Sequence, residues 1–230
     1  MNCYLSTSAA THDKVATLDP ETVKIFLASS NSGKLREYNE LASGSALTIA
    51  LLPNFSELAP FDECAPTFAE NAAGKALHYS RFAREIVLAD DSGLVVPALS
   101  GAPGVHSARY AGPNGTARDC VQKLLGQMEG KGGSERRARF VCVIAVARQG
   151  SILAVVSDFV EGILANEPRG AQCFGYDPVF CFPDGSRTFS EISPAEKNRY
   201  SHRGKAFRKV AEFLNSLASS LGSATSNGTV

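Results

Sequence analysis

The runs RFVCVIAVA (139–147) and ILAVVSDF (152–159), separated by RQGS (148–151), decide the fold class. Both are rich in β-branched residues and the connection carries a Gly, so they predict two antiparallel strands joined as a hairpin. Inside the first run, Cys142 reads as a small buried hydrophobe. Upstream, VKIFLA (23–28) is a short apolar run and predicts a buried strand. Ile86 to Ala89 predicts another, running straight into Asp90-Asp91-Ser92-Gly93. The helices between have legible starts. Thr67-Phe68-Ala69-Glu70 is a capping box, followed by an apolar stripe at Phe68, Ala72, Ala76, Tyr79 and Ala83. Thr116 to Asp119 opens a second helix, with Val121, Leu124, Leu125 and Met128 in register. Ser193, Pro194 and Glu196 supply an N-cap, a first-position Pro and a third-position Glu. A last helix follows Ser201, with Ala206, Phe207, Val210, Leu214 and Leu217 facing inward. Strands linked by helices, with a hairpin added, predict an α/β fold built on a mixed sheet.

The 230 residues balance 23 Lys and Arg against 23 Asp and Glu, and 44% are hydrophobic. That describes a globular chain able to bury a core without disulfides. Neutrality argues against a dedicated nucleic-acid domain, which carries a basic excess. No stretch approaches the ~20 apolar residues that span a bilayer, so no membrane role is expected. The N-terminus lacks the basic and apolar regions of a signal peptide. The six cysteines form no C-x-x-C pair, so free thiols and a cytoplasmic location are expected. Residues 1–22 read as a flexible extension, 23–217 as the folded domain, and 218–230, rich in Ser, Gly and Thr, as a disordered tail.

Several segments can carry chemistry. Ser29-Ser30-Asn31-Ser32-Gly33-Lys34 follows a strand and opens a helix, a geometry that holds phosphate on main-chain N–H groups. It is not a P-loop: Ala28 stands where the first Gly belongs and Leu35 where the metal-binding hydroxyl belongs. An ordinary strand-to-helix turn explains the loop equally well. Asp90-Asp91 at an expected strand end should point to opposite faces, one to a site and one to a support network. A carboxylate there suits Mg²⁺, although Asp-Asp-Ser-Gly also reads as a plain turn. Asp62 and Glu63 add two carboxylates upstream. Asn71, Lys75 and His78 share one polar face of the Thr67 helix, where a solvated face is the simpler explanation. Arg199, Arg203, Lys205, Arg208 and Lys209 form a basic cluster that suits an anionic substrate, RNA or plain solvent. His12-Asp13 lies in the extension and carries no argument.

Taken together, FLASSNSGKLRE (26–37), TFAENAAGKA (67–76), LADDSGLVVPALSGAPGVHSARYAG (88–112), ARFVCVIAV (138–146), FGYDPVF (174–180) and SPAEKNRYSHRGKA (193–206) resemble one family. It is the non-canonical purine nucleoside triphosphate pyrophosphatases, or inosine/xanthosine triphosphatases, and the likeness covers residues 23 to 217. The resemblance implies a long mixed β-sheet with flanking helices forming two lobes around a central cleft, in a homodimer. It implies Mg²⁺-dependent hydrolysis of ITP, dITP and XTP to the monophosphate and pyrophosphate, with a cleansed nucleotide pool as the use. Ser29, Ser30, Asn31, Ser32, Gly33 and Lys34 should hold the triphosphate, with Lys75 assisting. Asp91 should bind Mg²⁺ and act as, or orient, the general base, with Asp90 and Ser92 alongside. Phe174 should stack on the purine, with Gly175, Tyr176 and Asp177 completing that wall, and Lys197, His202 and Arg203 should read the base. Two positions depart from the family pattern. Ser30 replaces a Gly of the usual Thr-Gly-Asn, and Asp62 replaces a Glu as second metal carboxylate, with Glu63 as the alternative.

Overall fold

A computed structural model describes residues 22–171 and 174–226, with side chains as far as 217. The expected extension therefore lies almost wholly outside the described residues. Six strands form one mixed sheet in the order β2-β1-β3-β4-β5-β6. They are β1 Val23–Leu27, β2 Leu47–Leu51, β3 Ile86–Val95, β4 Arg137–Arg148, β5 Ser151–Leu164 and β6 Phe180–Cys181. The first three pair in parallel and the last four antiparallel. Five helices accompany them: α1 Ser32–Ala42, α2 Phe68–Tyr79, α3 Ala117–Gln127, α4 Pro194–Tyr200 and α5 His202–Ser226.

The β4–β5 hairpin turns on Gln149 and Gly150, both at positive φ (50° and 79°). That backbone matches the twist of the flanking strands, which is why two residues suffice. The predicted caps form: Thr67 accepts from the Glu70 N–H, Thr116 and Asp119 cap reciprocally, and Ser193 accepts from the Glu196 N–H.

Three expectations change. The strand expected to end at Ala89 runs on to Val95, because Asp90 to Val95 pair residue by residue with Ile144 to Arg139. Asp-Asp-Ser-Gly is thus strand interior, not a turn. Strands β2 and β6 complete the sheet edges without having been expected. Helix α5 continues to Ser226, so the stretch expected as a tail from 218 is helical up to that residue. Its composition gives little to bury, yet contains no Pro to stop a helix.

The core divides around the sheet. On one face Ile25, Leu88, Ile144 and Val146 pack with Tyr38 of α1 and Phe207 and Val210 of α5. On the other, Val87, Ala89, Val143 and Ala145 meet Ala72, Ala76 and Tyr79 of α2. A third cluster gathers at the far end of the long strands, where Leu94, Phe140 and Leu164 meet Leu124 of α3 and Phe180. Strand β4 belongs to all three, so it links the two lobes, and the cleft opens where they meet.

Candidate active site

Alternation along β3 sends its two carboxylates to different faces. Leu88, Asp90 and Ser92 point toward α1 and α5, whereas Ala89 and Asp91 point toward α2. Asp90 is fully buried. Its carboxylate meets Lys34 Nζ at 2.7 Å and Arg203 Nε at 3.2 Å. Burial alone would raise its pKa, but Lys34 and Arg203 together hold it below the usual carboxylate range. Asp91 lies in a different environment. Asn71 Nδ2 donates to its Oδ2 at 2.9 Å, and among the described residues no cation bridges it. Its pKa is raised by burial, only partly offset by Asn71 and Lys75, with Glu63 pushing the same way as burial.

The loop before α1 brings a cation and a cap. Asn31 Oδ1 accepts from the N–H groups of Gly33 and Lys34, so it ends the helix as its N-cap. Ser29, Ser30, Asn31 and Lys34 line a cavity of about 530 Å³. Ser32 and Gly33 do not. Ser32 borders a groove between α1 and α4, and a Cβ at Gly33 would strike the Phe174 ring. From α2, Lys75 is buried and meets Glu63 Oε1 at 2.6 Å. The polar face of this helix is therefore not a solvated one: Asn71 is buried against Asp91, and Lys75 lines the cleft. His78 points away, with Nε2 at 2.8 Å from the Ala59 carbonyl.

Glu63 lines the cavity, while Asp62 is exposed and outside its lining. Neighbours on extended chain take opposite sides, so the segment that turns Glu63 inward turns Asp62 out. Of the two carboxylates expected as alternatives, Glu63 is the one that shares the cavity with Asp91. Among the described residues no three His, Cys, Asp or Glu side chains cluster to hold a metal by themselves. Asp91 and Glu63 offer hard oxygen donors of the kind Mg²⁺ takes when it shares its shell with phosphate oxygens.

The opposite wall centres on Phe174, with Lys197 Nζ 5.0 Å and the Arg203 guanidinium 5.7 Å from its ring centroid. Lys197 also bridges Asp177 and Glu37, each at 2.5 Å. Burial raises the Asp177 pKa to about 6 despite Lys197. Arg203 spends three donors inside the protein, on Asp90, Glu37 and Ser92. His202 stacks on Phe140 at 4.7 Å with its Nδ1 unpartnered. Burial, then Arg203 and Lys197, hold its pKa well below the ordinary histidine value, so it is neutral. Tyr176 turns its hydroxyl away from the wall, donating to the Ser107 carbonyl at 2.9 Å. Helices α4 and α5 meet closely enough that a Cβ at Gly204 would strike the Asn198 carbonyl, and this joint aims Lys197 and Arg203 at one place.

Glu37 escaped the sequence reading although it ties Lys197 and Arg203, the two basic residues of the Phe174 wall, together. Its signal was spacing: Glu37 follows Lys34 by three residues, hence on the same face of α1.

Residues 25–213 match the Ham1 family. A curated dITP/XTP pyrophosphatase of Geobacillus kaustophilus is 45% identical over 189 residues, covering 82% of this chain and 93% of the relative. Another, from Desulforamulus reducens, is 43% identical over 197 residues, covering 85% and 97%. The solved structure of a HAM1 protein from Coxiella burnetii is similar with a TM-score of 0.74 at 42% identity, across 84% of this chain and 99% of that one. The matched span includes both walls of the cleft, from the Asn31 loop to Arg203, and the chain belongs to the Ham1 family.

Proposed function

We propose that the chain hydrolyses inosine, deoxyinosine and xanthosine triphosphates to the monophosphate and pyrophosphate. The observation that carries the reading is Asp91: a cavity-facing carboxylate held by Asn71, with no ion pair among the described residues, in the same cavity as Lys34, Lys75 and Phe174. Triphosphate hydrolysis needs charge neutralisation, an in-line water and a positioned base. Lys34 and Lys75 supply the first. Asp91 supplies the last, accepting a proton from the attacking water while Asn71 fixes its orientation. The curated relatives are named dITP/XTP pyrophosphatases, which supports pyrophosphate release and two of the three substrates.

Mg²⁺ is the proposed cofactor, held by Asp91 and Glu63. When bound it would neutralise phosphate charge and polarise the phosphorus. On the other wall, Phe174 stacks the purine while Lys197 and the remaining N–H groups of Arg203 face its edge. A homodimer in the cytoplasm completes the proposal. The outward side of β5, where Val155 and Phe159 are exposed, supports the pairing of two copies.

Product analysis tests the reading. Incubated with ITP and Mg²⁺, the chain should yield IMP and pyrophosphate in equal amounts, and EDTA should abolish both. Mn²⁺ should restore part of the activity, because it accepts the same octahedral oxygen coordination. IDP and free phosphate as products, or full turnover in chelator, would contradict it.

A further inference from the structure

Arg109 ends the 3-10 segment Gly104–Arg109, inside the SARYAG stretch, and has so far no role. It lines the same cavity as Lys34, Glu63, Lys75 and Asp91. The other cations there are already paired. Lys34 meets Asp90 at 2.7 Å, Lys75 meets Glu63 at 2.6 Å, Lys197 meets Glu37 and Asp177, and Arg203 meets Glu37 and Asp90. Among the described residues lining the cavity, two charged side chains lack an ion-pair partner: the Asp91 carboxylate and the Arg109 guanidinium. Arg109 instead donates to the main-chain oxygen of Glu63 at 2.7 Å. That bond uses one of its five N–H donors and neutralises no charge. It also places the guanidinium beside the Glu63–Lys75 pair, at the phosphate end of the cleft rather than the Phe174 end.

The backbone under Arg109 is anchored. Ser107 Oγ donates to the Gly104 carbonyl at 2.6 Å and accepts from the Leu94 N–H at 2.9 Å, tying the segment to β3 three residues from Asp91. A polyanion entering this cavity must share Lys34 and Lys75 with the carboxylates they already bridge, and those carboxylates repel it. The uncommitted positive charge is on Arg109, and its planar fork fits phosphate oxygens.

We propose that Arg109 is a substrate-binding residue that takes phosphate oxygens of the nucleoside triphosphate. This rests on the nucleotide reading of the cleft. The test is calorimetric titration of inorganic tripolyphosphate, with EDTA present to prevent turnover, into the full chain and its Arg109→Ala and Arg109→Lys variants. Inosine, which carries no phosphate, is titrated in parallel. Arg109→Ala should weaken tripolyphosphate about tenfold or more, the scale of a lost charge-assisted contact. Arg109→Lys, which keeps the charge but not the planar fork, should recover part of it, and inosine should bind all three within about twofold. Unchanged tripolyphosphate binding by Arg109→Ala would overturn the proposal, as would parallel losses for tripolyphosphate and inosine, which mean a general collapse of the cleft. If the wild-type chain binds tripolyphosphate through Arg109 yet releases no pyrophosphate from ITP, the activity falls and the phosphate site stands.

Discussion

At Asp90 two cations reach a carboxylate with no exposed surface, and one residue later the Asp91 carboxylate is held by the Asn71 amide. The first is therefore locked as an anion that aims Lys34 and Arg203, and the second is left with basicity to spend. Asp91→Asn keeps the size and the Asn71 neighbour but removes that basicity. It should lower kcat by a factor on the order of 10² or more, as expected for a lost general base. Steady-state pyrophosphate release checks this, with a thermal melt close to wild type showing that the fold persists. Asp177 makes a prediction about pH. Its pKa is about 6 in the fold against an ordinary 3.8, so the native state binds more protons between those values. Stability must then fall as pH rises from about 4 to about 6, and ionised Asp177 penalises the fold above that window. Urea denaturation of wild type and Asp177→Asn at pH 4.5 and 7 should show the variant losing less stability over the interval. A steeper loss in the variant would place the titration elsewhere.

Helix α1 does two jobs with its first turn. Asn31 caps it while lining the cavity, and Lys34 reaches down to Asp90. Asn31→Asp retains the cap acceptor and adds a negative charge where phosphate should sit, so the melting temperature should hold while KM for ITP rises. Asn31→Ala loses the cap as well, at a cost of about 1 kcal/mol in unfolding free energy. Equal KM values for the two variants and wild type would remove Asn31 from the phosphate site. The elements that were legible in sequence announce themselves locally: the Thr67, Thr116 and Ser193 caps and the Gln149-Gly150 turn each satisfy backbone groups from within a few residues. What stayed hidden depends on distant partners. Strand β3 extends through two aspartates only because β4 lies beside them, and LTIAL (47–51) becomes β2 only by pairing with β1. Within the site, residues carried by a motif, such as Asp91, Lys34 and Phe174, were readable. Glu37 and Arg109 were not, since their meaning lies in which charges across the cleft are already paired. That Glu63 lines the cavity and Asp62 does not is likewise set by how the chain folds before α2, which no local pattern announces.

Across the whole molecule, the sheet and its helices form two walls of unlike character. The β3 and α2 side presents Asp91, Glu63 and Lys75, suited to phosphate and a hard cation. The α4 and α5 side presents Phe174 among Lys197, Arg203 and a neutral His202, suited to an aromatic base. Hypoxanthine and xanthine carry an oxygen acceptor at ring position 6, where adenine carries an amino donor. Lys197 and Arg203 can only donate. On the proposed reading, a wall of donors accepts the 6-oxo bases and opposes adenine donor to donor, and such sites discriminate far more strongly than apolar shape alone. The most direct measurement is kcat/KM for pyrophosphate release from ITP and from ATP by the wild-type chain under the same Mg²⁺ conditions. The account predicts that ITP exceeds ATP by at least ~100-fold, a conservative figure for a polar site. Equal efficiency with the two nucleotides would contradict it.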